Sequence, residues 1–214
     1  MSGFDLRRHL PSATFVLVLL LVLAAVAGAY IYVGAYNIGA DAPHSSFVYR
    51  TLNELRERAV AAHSRDIVPP ADLNDAKRIA AGAGLYSEMC TGCHLGPGLE
   101  RSELSQGLYP PAPELAGANS RSGAEQFWIL KHGVKLSAMP AWGKTHDDQL
   151  IWDMVAFLRK LPTLSPEQYK AAVASAPESH EEMMEHMPGM TGAAEDQDTA
   201  TKPHPPVHAH EHHD

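Results

Sequence analysis

The sequence predicts an all-α protein in which one membrane-spanning helix precedes a helical domain and a polar tail follows it. Three observations support this prediction. A continuous apolar run occupies residues 15–36, apolar residues recur at helical spacing in four later segments, and no stretch alternates apolar and polar residues as a half-buried strand would. The chain has 214 residues, of which 45% are hydrophobic, and this is enough for one or two compact domains.

The first predicted element is the apolar helix of residues 15–36. No Asp, Glu, Lys or Arg occurs in residues 10–40, and 22 helical residues rise about 33 Å, close to the hydrocarbon thickness of a bilayer. A cleaved signal peptide is the alternative, because Ala25 and Ala27 form an A-x-A cleavage pattern. We prefer a retained anchor, since the apolar run continues past Ala27 and ends in tyrosines suited to a membrane interface.

The charges that flank the apolar helix predict its orientation. Arg7 and Arg8 precede it and Asp41 follows it, so the positive-inside rule places the N-terminus in the cytoplasm. The remainder of the chain then lies on the opposite side of a single-pass membrane protein.

A second helix is predicted for residues 45–63, where Val48, Leu52, Leu55 and Ala59 follow helical spacing. We interpret it as a juxtamembrane spacer. Pro69-Pro70 then ends the helical pattern and indicates a domain boundary, which would let the following domain swing relative to the membrane.

The outer domain is predicted to be helical throughout. Residues 73–89, 124–132 and 147–161 have helical patterns, and the last is the clearest because acidic residues begin it and basic residues end it. Residues 96–118, rich in proline and glycine, are predicted to form an irregular loop. The sequence therefore predicts four parts: an N-terminus with the anchor in residues 1–40, a spacer helix and linker in residues 41–71, a helical domain in residues 72–171 and a tail in residues 172–214.

The tail of residues 172–214 has an unusual composition. It contains seven histidines, four methionines and nine acidic residues, but few large apolar ones. Such a segment cannot bury enough surface to offset its chain entropy, so we expect disorder. Imidazoles and thioethers are good copper ligands, which makes copper binding a hypothesis for the tail; the simpler alternative is a solvated acidic segment that binds metals adventitiously.

Charge excludes one class of function. The net charge is −8, and the domain of residues 72–171 is nearly neutral, with ten basic and eleven acidic side chains. It lacks the basic surface that a nucleic-acid-binding protein requires.

Both cysteines of the chain belong to the motif Cys90-Thr91-Gly92-Cys93-His94. A structural zinc site needs four ligands, commonly two separated pairs, and a thioredoxin-type redox pair needs a βαβ unit; neither context is present. Covalent haem attachment fits better, because one helical turn presents two thiols for the vinyl groups and an imidazole for the iron.

A sixth iron ligand is available at Met139. It belongs to the predicted loop "SAMPAW" and is followed by Pro140, so a thioether is held on a stiff segment between two helices. Met89 and Met154 occur in helices and are better interpreted as core residues. His132 is a weaker candidate ligand than Met139. We expect four apolar residues near Met139 to wall the crevice: Trp128, Val134, Leu136 and Trp142.

These residues resemble the class I monohaem cytochromes c over about residues 72–162. The resemblance rests on Gly82 and Tyr86 before the Cys90–His94 motif, on "MPAW" at Met139, and on the closing helix "IWDMVAFLRKLP". It implies a cytochrome c-like haem domain with one haem c, attached through Cys90 and Cys93 and ligated by His94 and Met139. It also implies that Gly82 packs on Phe157. In that family a proline carbonyl accepts the proximal histidine's second N–H, a role for which Pro97 and Pro110 are both candidates.

The whole layout resembles membrane-anchored proteobacterial cytochromes c. The resemblance implies electron transfer rather than enzymatic catalysis, with the haem domain in the periplasm and the anchor in the inner membrane. It implies redox partners such as membrane respiratory complexes or periplasmic dehydrogenases and oxidases. Two alternative hypotheses remain: a haem-based sensor with a weakly bound Met139, and a copper-binding or copper-tolerance protein that acts through its tail.

Overall fold

The computed structural model describes residues 12–117 and 121–177, and these residues form helices and loops without a β-strand. The all-α prediction is therefore confirmed for this part of the chain. Most of the tail, with its copper hypothesis, and both arginines before the anchor lie outside the described residues. The described residues contain eight α-helices: α1 Ala13–Tyr32, α2 Ser46–Ser64, α3 Ala76–Met89, α4 Thr91–His94, α5 Glu103–Gly107, α6 Gly123–His132, α7 Asp148–Lys160 and α8 Pro166–Ala174.

The chain divides into two compact units, residues Met1–Ser46 and Phe47–Asp214. In the first unit, Ser12 caps α1 by accepting a hydrogen bond from the Phe15 N–H at 3.2 Å. None of the side chains of α1 is buried. This helix is long and apolar enough to cross a membrane, a property that a signal sequence shares.

The core of the second unit is built around the crossing of α3 and α7. Gly82 of α3 faces α7 so closely that a Cβ atom there would lie 2.0 Å from the Asp153 carbonyl oxygen and 2.8 Å from the Phe157 Cβ. The predicted contact between Gly82 and Phe157 is confirmed. Tyr86, one turn further along α3, stacks at a tilt on Phe157 with ring centroids 5.4 Å apart.

An ion pair lies beside the same crossing. Arg78 Nη1 contacts Asp153 Oδ1 at 2.5 Å and Arg78 Nε contacts Asp72 Oδ2 at 3.0 Å. Burial raises the pKa of Asp153, and Arg78 opposes that shift without cancelling it. The carboxylate therefore depends on Arg78 for its charge in the core.

The segment that contains α2 and Pro69-Pro70 differs from the spacer and linker that we expected. Val60 of α2 is buried, and the His63 ring stacks on Trp128 of α6 with centroids 5.6 Å apart. In the following segment, Ile67 packs against the core and Leu73 belongs to it. Helix α2 is thus docked on the domain, and a hinge at Pro69-Pro70 would break these contacts.

Three further differences concern helices that were not predicted and the buried face of α2. The predicted irregular loop 96–118 contains the short helix α5. Helix α8 was not predicted; a capping box between Ser165 and Gln168 begins it, and it crosses the expected start of the tail at residue 172. On α2, Leu55 is exposed although we placed it on the apolar stripe, because the buried face is centred on Val60.

We predict that Gly82→Ala destabilises the domain by about 3 kcal/mol, because the added methyl group must push α3 away from the α7 backbone. Chemical denaturation of the detergent-solubilised chain, followed by circular dichroism, measures this. Gly107→Ala is the matched control, since a Cβ atom at Gly107 meets nothing within 4 Å. Equal effects of the two substitutions would contradict a tight α3–α7 contact.

Candidate functional site

A cavity of about 410 Å³ lies in the second unit, and all four predicted haem-binding residues line it: Cys90, Cys93, His94 and Met139. The wall is otherwise mainly apolar. Its aliphatic and aromatic residues come from α3, α6, α7 and two loops, and they include Met89, Leu108, Leu115, Ile129, Leu130, Val134, Trp142, Met154 and Leu158.

The Cys90–His94 segment is held in place by the end of α3. The His94 N–H donates to the Cys90 carbonyl at 2.8 Å, so the motif forms a single helical turn. The Tyr86 hydroxyl, which is buried, donates to the Leu95 carbonyl at 2.6 Å and fixes the exit from this turn. Thr91 Oγ1 donates to the Ser87 carbonyl at 2.7 Å and ties the turn back to α3.

The two thiols have different environments. Cys90 is buried and Cys93 is half-buried, and no disulfide joins them. Burial, followed by the proximity of Cys93, raises the pKa of the Cys90 thiol to about 12. Cys90 is therefore a neutral thiol at physiological pH.

The imidazole of His94 is oriented by a backbone carbonyl. Its Nδ1 lies 2.8 Å from the Pro113 carbonyl oxygen. Because a carbonyl oxygen only accepts, Nδ1 carries the proton and the lone pair is on Nε2. Burial lowers the pKa of His94, although the hydrogen bond to Pro113 opposes this, so the neutral ring is favoured. Both candidates for this carbonyl acceptor, Pro97 and Pro110, were wrong, and the acceptor is the Pro113 carbonyl.

Met139 lies in a loop that is closed by its own hydrogen bonds. The Val134 N–H donates to the Met139 carbonyl at 3.1 Å, and the Met139 N–H donates to Ser137 Oγ at 3.2 Å. Gly133 has φ of 65° and lies against this loop, where a Cβ atom would come within 2.7 Å of the Met139 carbonyl oxygen. The loop therefore presents the thioether from a constrained backbone.

The expected crevice walls are confirmed in part. Val134 and Trp142 line the cavity. Trp128 does not line it and instead stacks between His63 and His132, which explains why His132 is also outside the cavity. Leu136 is 81% exposed, because its positive φ of 58° turns the loop outward at that residue. Met89 and Met154 pack on or in the core, as expected, and also form part of the wall.

Sequence reasoning missed the polar residues of the cavity. Arg56 of α2, Arg121 before α6 and Gln126 of α6 all line it. Gln126 is only 5% exposed, and its Oε1 has no hydrogen-bond partner among the described residues. No local motif marks these residues, since only the tertiary fold brings Arg56 of α2 to the same cavity as Arg121 and Gln126.

The residues present fit a haem. The cavity combines two thiols, one imidazole with a free ring nitrogen, one thioether and an apolar wall, which is the donor set of a c-type cytochrome. The Gln126 amide and the two arginines add polar groups to the cavity wall.

Comparison with known proteins agrees with this chemistry. Residues 77–158 match the family described as cytochrome c oxidase, cbb3-type, subunit III. The match covers less than half of the chain, but it contains the Cys90–His94 motif and Met139 and excludes α2 and α8. No curated protein and no solved structure matches the chain. The matched segment supports a c-type cytochrome domain and haem-based electron transfer.

We predict that Gly133→Ala lowers the local stability of the Met139 loop by about 2 kcal/mol. A positive φ is unfavourable for alanine, and its methyl group would clash with the Met139 carbonyl. The Val134 amide then exchanges its hydrogen faster, about tenfold for each 1.4 kcal/mol of lost local stability. Hydrogen exchange with mass spectrometry measures this, and Gly107→Ala again serves as the control. Unchanged exchange at Val134 would mean that the loop is not held by this contact.

Proposed function

We propose that this chain is a membrane-anchored monohaem cytochrome c whose haem is attached through Cys90 and Cys93 and ligated by His94 and Met139. The observation that carries the proposal is the presence of all four side chains on the wall of one cavity, although Met139 is 45 residues beyond His94 in the chain. A bound haem exchanges one electron at a time between the ferric and ferrous states.

In this proposal, the imidazole of His94 is already oriented to bind the iron. The Pro113 carbonyl holds the Nδ1 proton, which leaves Nε2 to bind the metal and fixes the orientation of the ring. A backbone acceptor keeps the imidazole less basic than a carboxylate would, and this favours the ferrous state.

Met139 would supply the second protein ligand of the iron. Its loop is fixed by the bonds of Ser137 and Val134, so little loop entropy is lost when the thioether binds. A thioether stabilises the ferrous state relative to a second imidazole. If His94 and Met139 both bind the iron, the domain is suited to electron transfer rather than to catalysis at the iron.

The matched family and the apolar helix α1 support partners of the respiratory chain. The matched family is named for a subunit of a terminal oxidase, and the apolar helix α1 would confine the domain to the membrane surface. We therefore propose a single-pass protein of a bacterial inner membrane with the domain in the periplasm. It passes electrons between membrane complexes, or between periplasmic dehydrogenases and oxidases.

The ligand assignment predicts the spectrum of the purified protein. Wild-type protein should show a low-spin haem, the weak charge-transfer band of ferric iron bound by methionine sulfur, and no CO binding in the ferrous form. Met139→Ala should lose the band, bind CO and have a lower midpoint potential. Met89→Ala, which alters another methionine of the wall, is the matched control and should retain the band.

Two results would change the proposal. A wild-type protein that binds CO would favour the haem-based sensor, because Met139 would then be a displaceable ligand. Loss of the charge-transfer band in Met89→Ala but not in Met139→Ala would move the sixth ligand to Met89.

A retained anchor predicts where the mature N-terminus lies. We expect the haem-containing protein to stay in the membrane fraction after high-salt and alkaline washing, and its intact mass to include residues 13–32. A soluble protein whose N-terminus follows Ala27 would instead identify a cleaved signal peptide. If the anchor is retained, the variant Leu20→Arg should abolish membrane retention, because a charge at mid-helix opposes insertion.

A further inference from the structure

The charged residues of the cavity wall have one sign. Of the 25 described residues that line the cavity, Arg56 and Arg121 carry formal charges and none is Asp or Glu. An apolar cavity with two guanidinium groups on its wall is complementary to an apolar ligand that carries carboxylates. A haem has this chemistry, since its ring is apolar and its two propionates are anionic.

The two arginines are held together by one carboxylate outside the lining. Arg121 Nη2 contacts both Oε1 and Oε2 of Glu57 at 2.8 Å, and Arg56 Nε lies 3.4 Å from Glu57 Oε1. Burial opposes the ionisation of Glu57, but the ion pairs, first that with Arg121, hold its pKa below the ordinary value. Two arginines and one glutamate leave a net positive charge beside the cavity.

Arg56 is also restrained within its own helix. Its Nη2 donates to Asn53 Oδ1, one turn earlier in α2. Tyr49, two turns earlier on the same face of α2, lines the cavity as well. The guanidinium is therefore positioned by α2, and α2 is positioned by the contacts of Val60 and His63 with the domain.

Besides the two arginines, Gln126 independently indicates that the cavity receives a polar ligand group. It lines the same cavity, its side chain is almost completely buried, and its Oε1 lacks a partner. A buried amide oxygen without a partner costs about 1–3 kcal/mol, so a ligand group that pairs with the Gln126 amide would remove this penalty. Because the O and N of an amide exchange by a simple flip, Gln126 can donate to a carboxylate.

We propose that Arg56 and Arg121, clamped by Glu57 and assisted by Gln126, form the subsite that receives the haem propionates. This inference rests on the proposed haem function and adds that α2, which precedes the matched domain, is part of the redox site. Arg56 and Arg121 are positioning residues for the haem: they fix its carboxylates, and their charge stabilises the ferrous state, which carries one positive charge less.

The test uses the full-length holoprotein in detergent and measures two quantities. Redox titration gives the midpoint potential, and resonance Raman spectroscopy gives the propionate bending bands, which report hydrogen bonds to the carboxylates. We expect Arg56→Gln and Arg121→Gln each to lower the equilibrium constant for reduction by up to about tenfold, ~59 mV for a one-electron couple, and to shift the Raman bands.

Two further variants separate a propionate contact from a purely structural role. Arg56→Lys keeps the charge but loses the planar fork, so the potential should stay near that of the wild type while the Raman bands shift. Arg58→Gln makes the same charge change two residues away on α2, where the side chain is 80% exposed and paired with Glu54 at 2.6 Å. It should change neither quantity.

The outcomes are distinct. Unchanged potentials and unchanged propionate bands in both Arg56→Gln and Arg121→Gln, with an intact low-spin spectrum, would overturn the subsite and leave the cytochrome proposal standing. An equal shift in Arg58→Gln would also overturn it, because the effect would then come from net charge alone. A wild-type chain without covalent haem would overturn the proposed function, and the subsite with it.

Discussion

The close approach of α3 and α7 at Gly82 is the constraint on which the site depends. Helix α3 leads directly into the Cys90–His94 turn, and α7 carries Met154 and Leu158 of the cavity wall. The distance between these helices therefore sets the position of the motif relative to the wall. Asp153 reinforces the same crossing twice, with its carbonyl against Gly82 and its carboxylate on Arg78. Gly82 thus contributes to the site because it has no side chain. Any Cβ atom there would push α3, and the motif that follows it, away from α7.

Features that depend on local chemistry were predictable from the sequence, and features that depend on tertiary packing were not. The turn of Cys90 to His94 and the stiff loop at Met139 are local, and the structure places them on one cavity as the motif indicates. The carbonyl partner of His94 is a long-range choice among several prolines, and spacing could not single out Pro113. Helix α8 is an exception, because it was not predicted although the capping box of Ser165 and Gln168 is a local signal.

The role of α2 shows why amphipathic spacing alone misleads. The stripe of Val48, Leu52, Leu55 and Ala59 suggested an isolated spacer with an apolar side, whereas the docked face includes the polar residues Arg56 and Glu57. A charged pair on the packed face has no apolar periodicity to reveal it. Its partner Arg121 is 64 residues away from Glu57, so only the fold brings them together.

The cavity wall extends beyond the matched segment. Residues 77–158 contain all four predicted haem-binding residues, but Arg56 and Tyr49, which also line the cavity, come from α2. If α2 were removed, Arg121 would lose Glu57 and one side of the cavity would lose its wall. The loss would fall on charge and solvent access, which tune a haem potential, rather than on the ligands that bind the iron. In the proposed cytochrome, helix α2 would therefore adjust the potential independently of His94 and Met139.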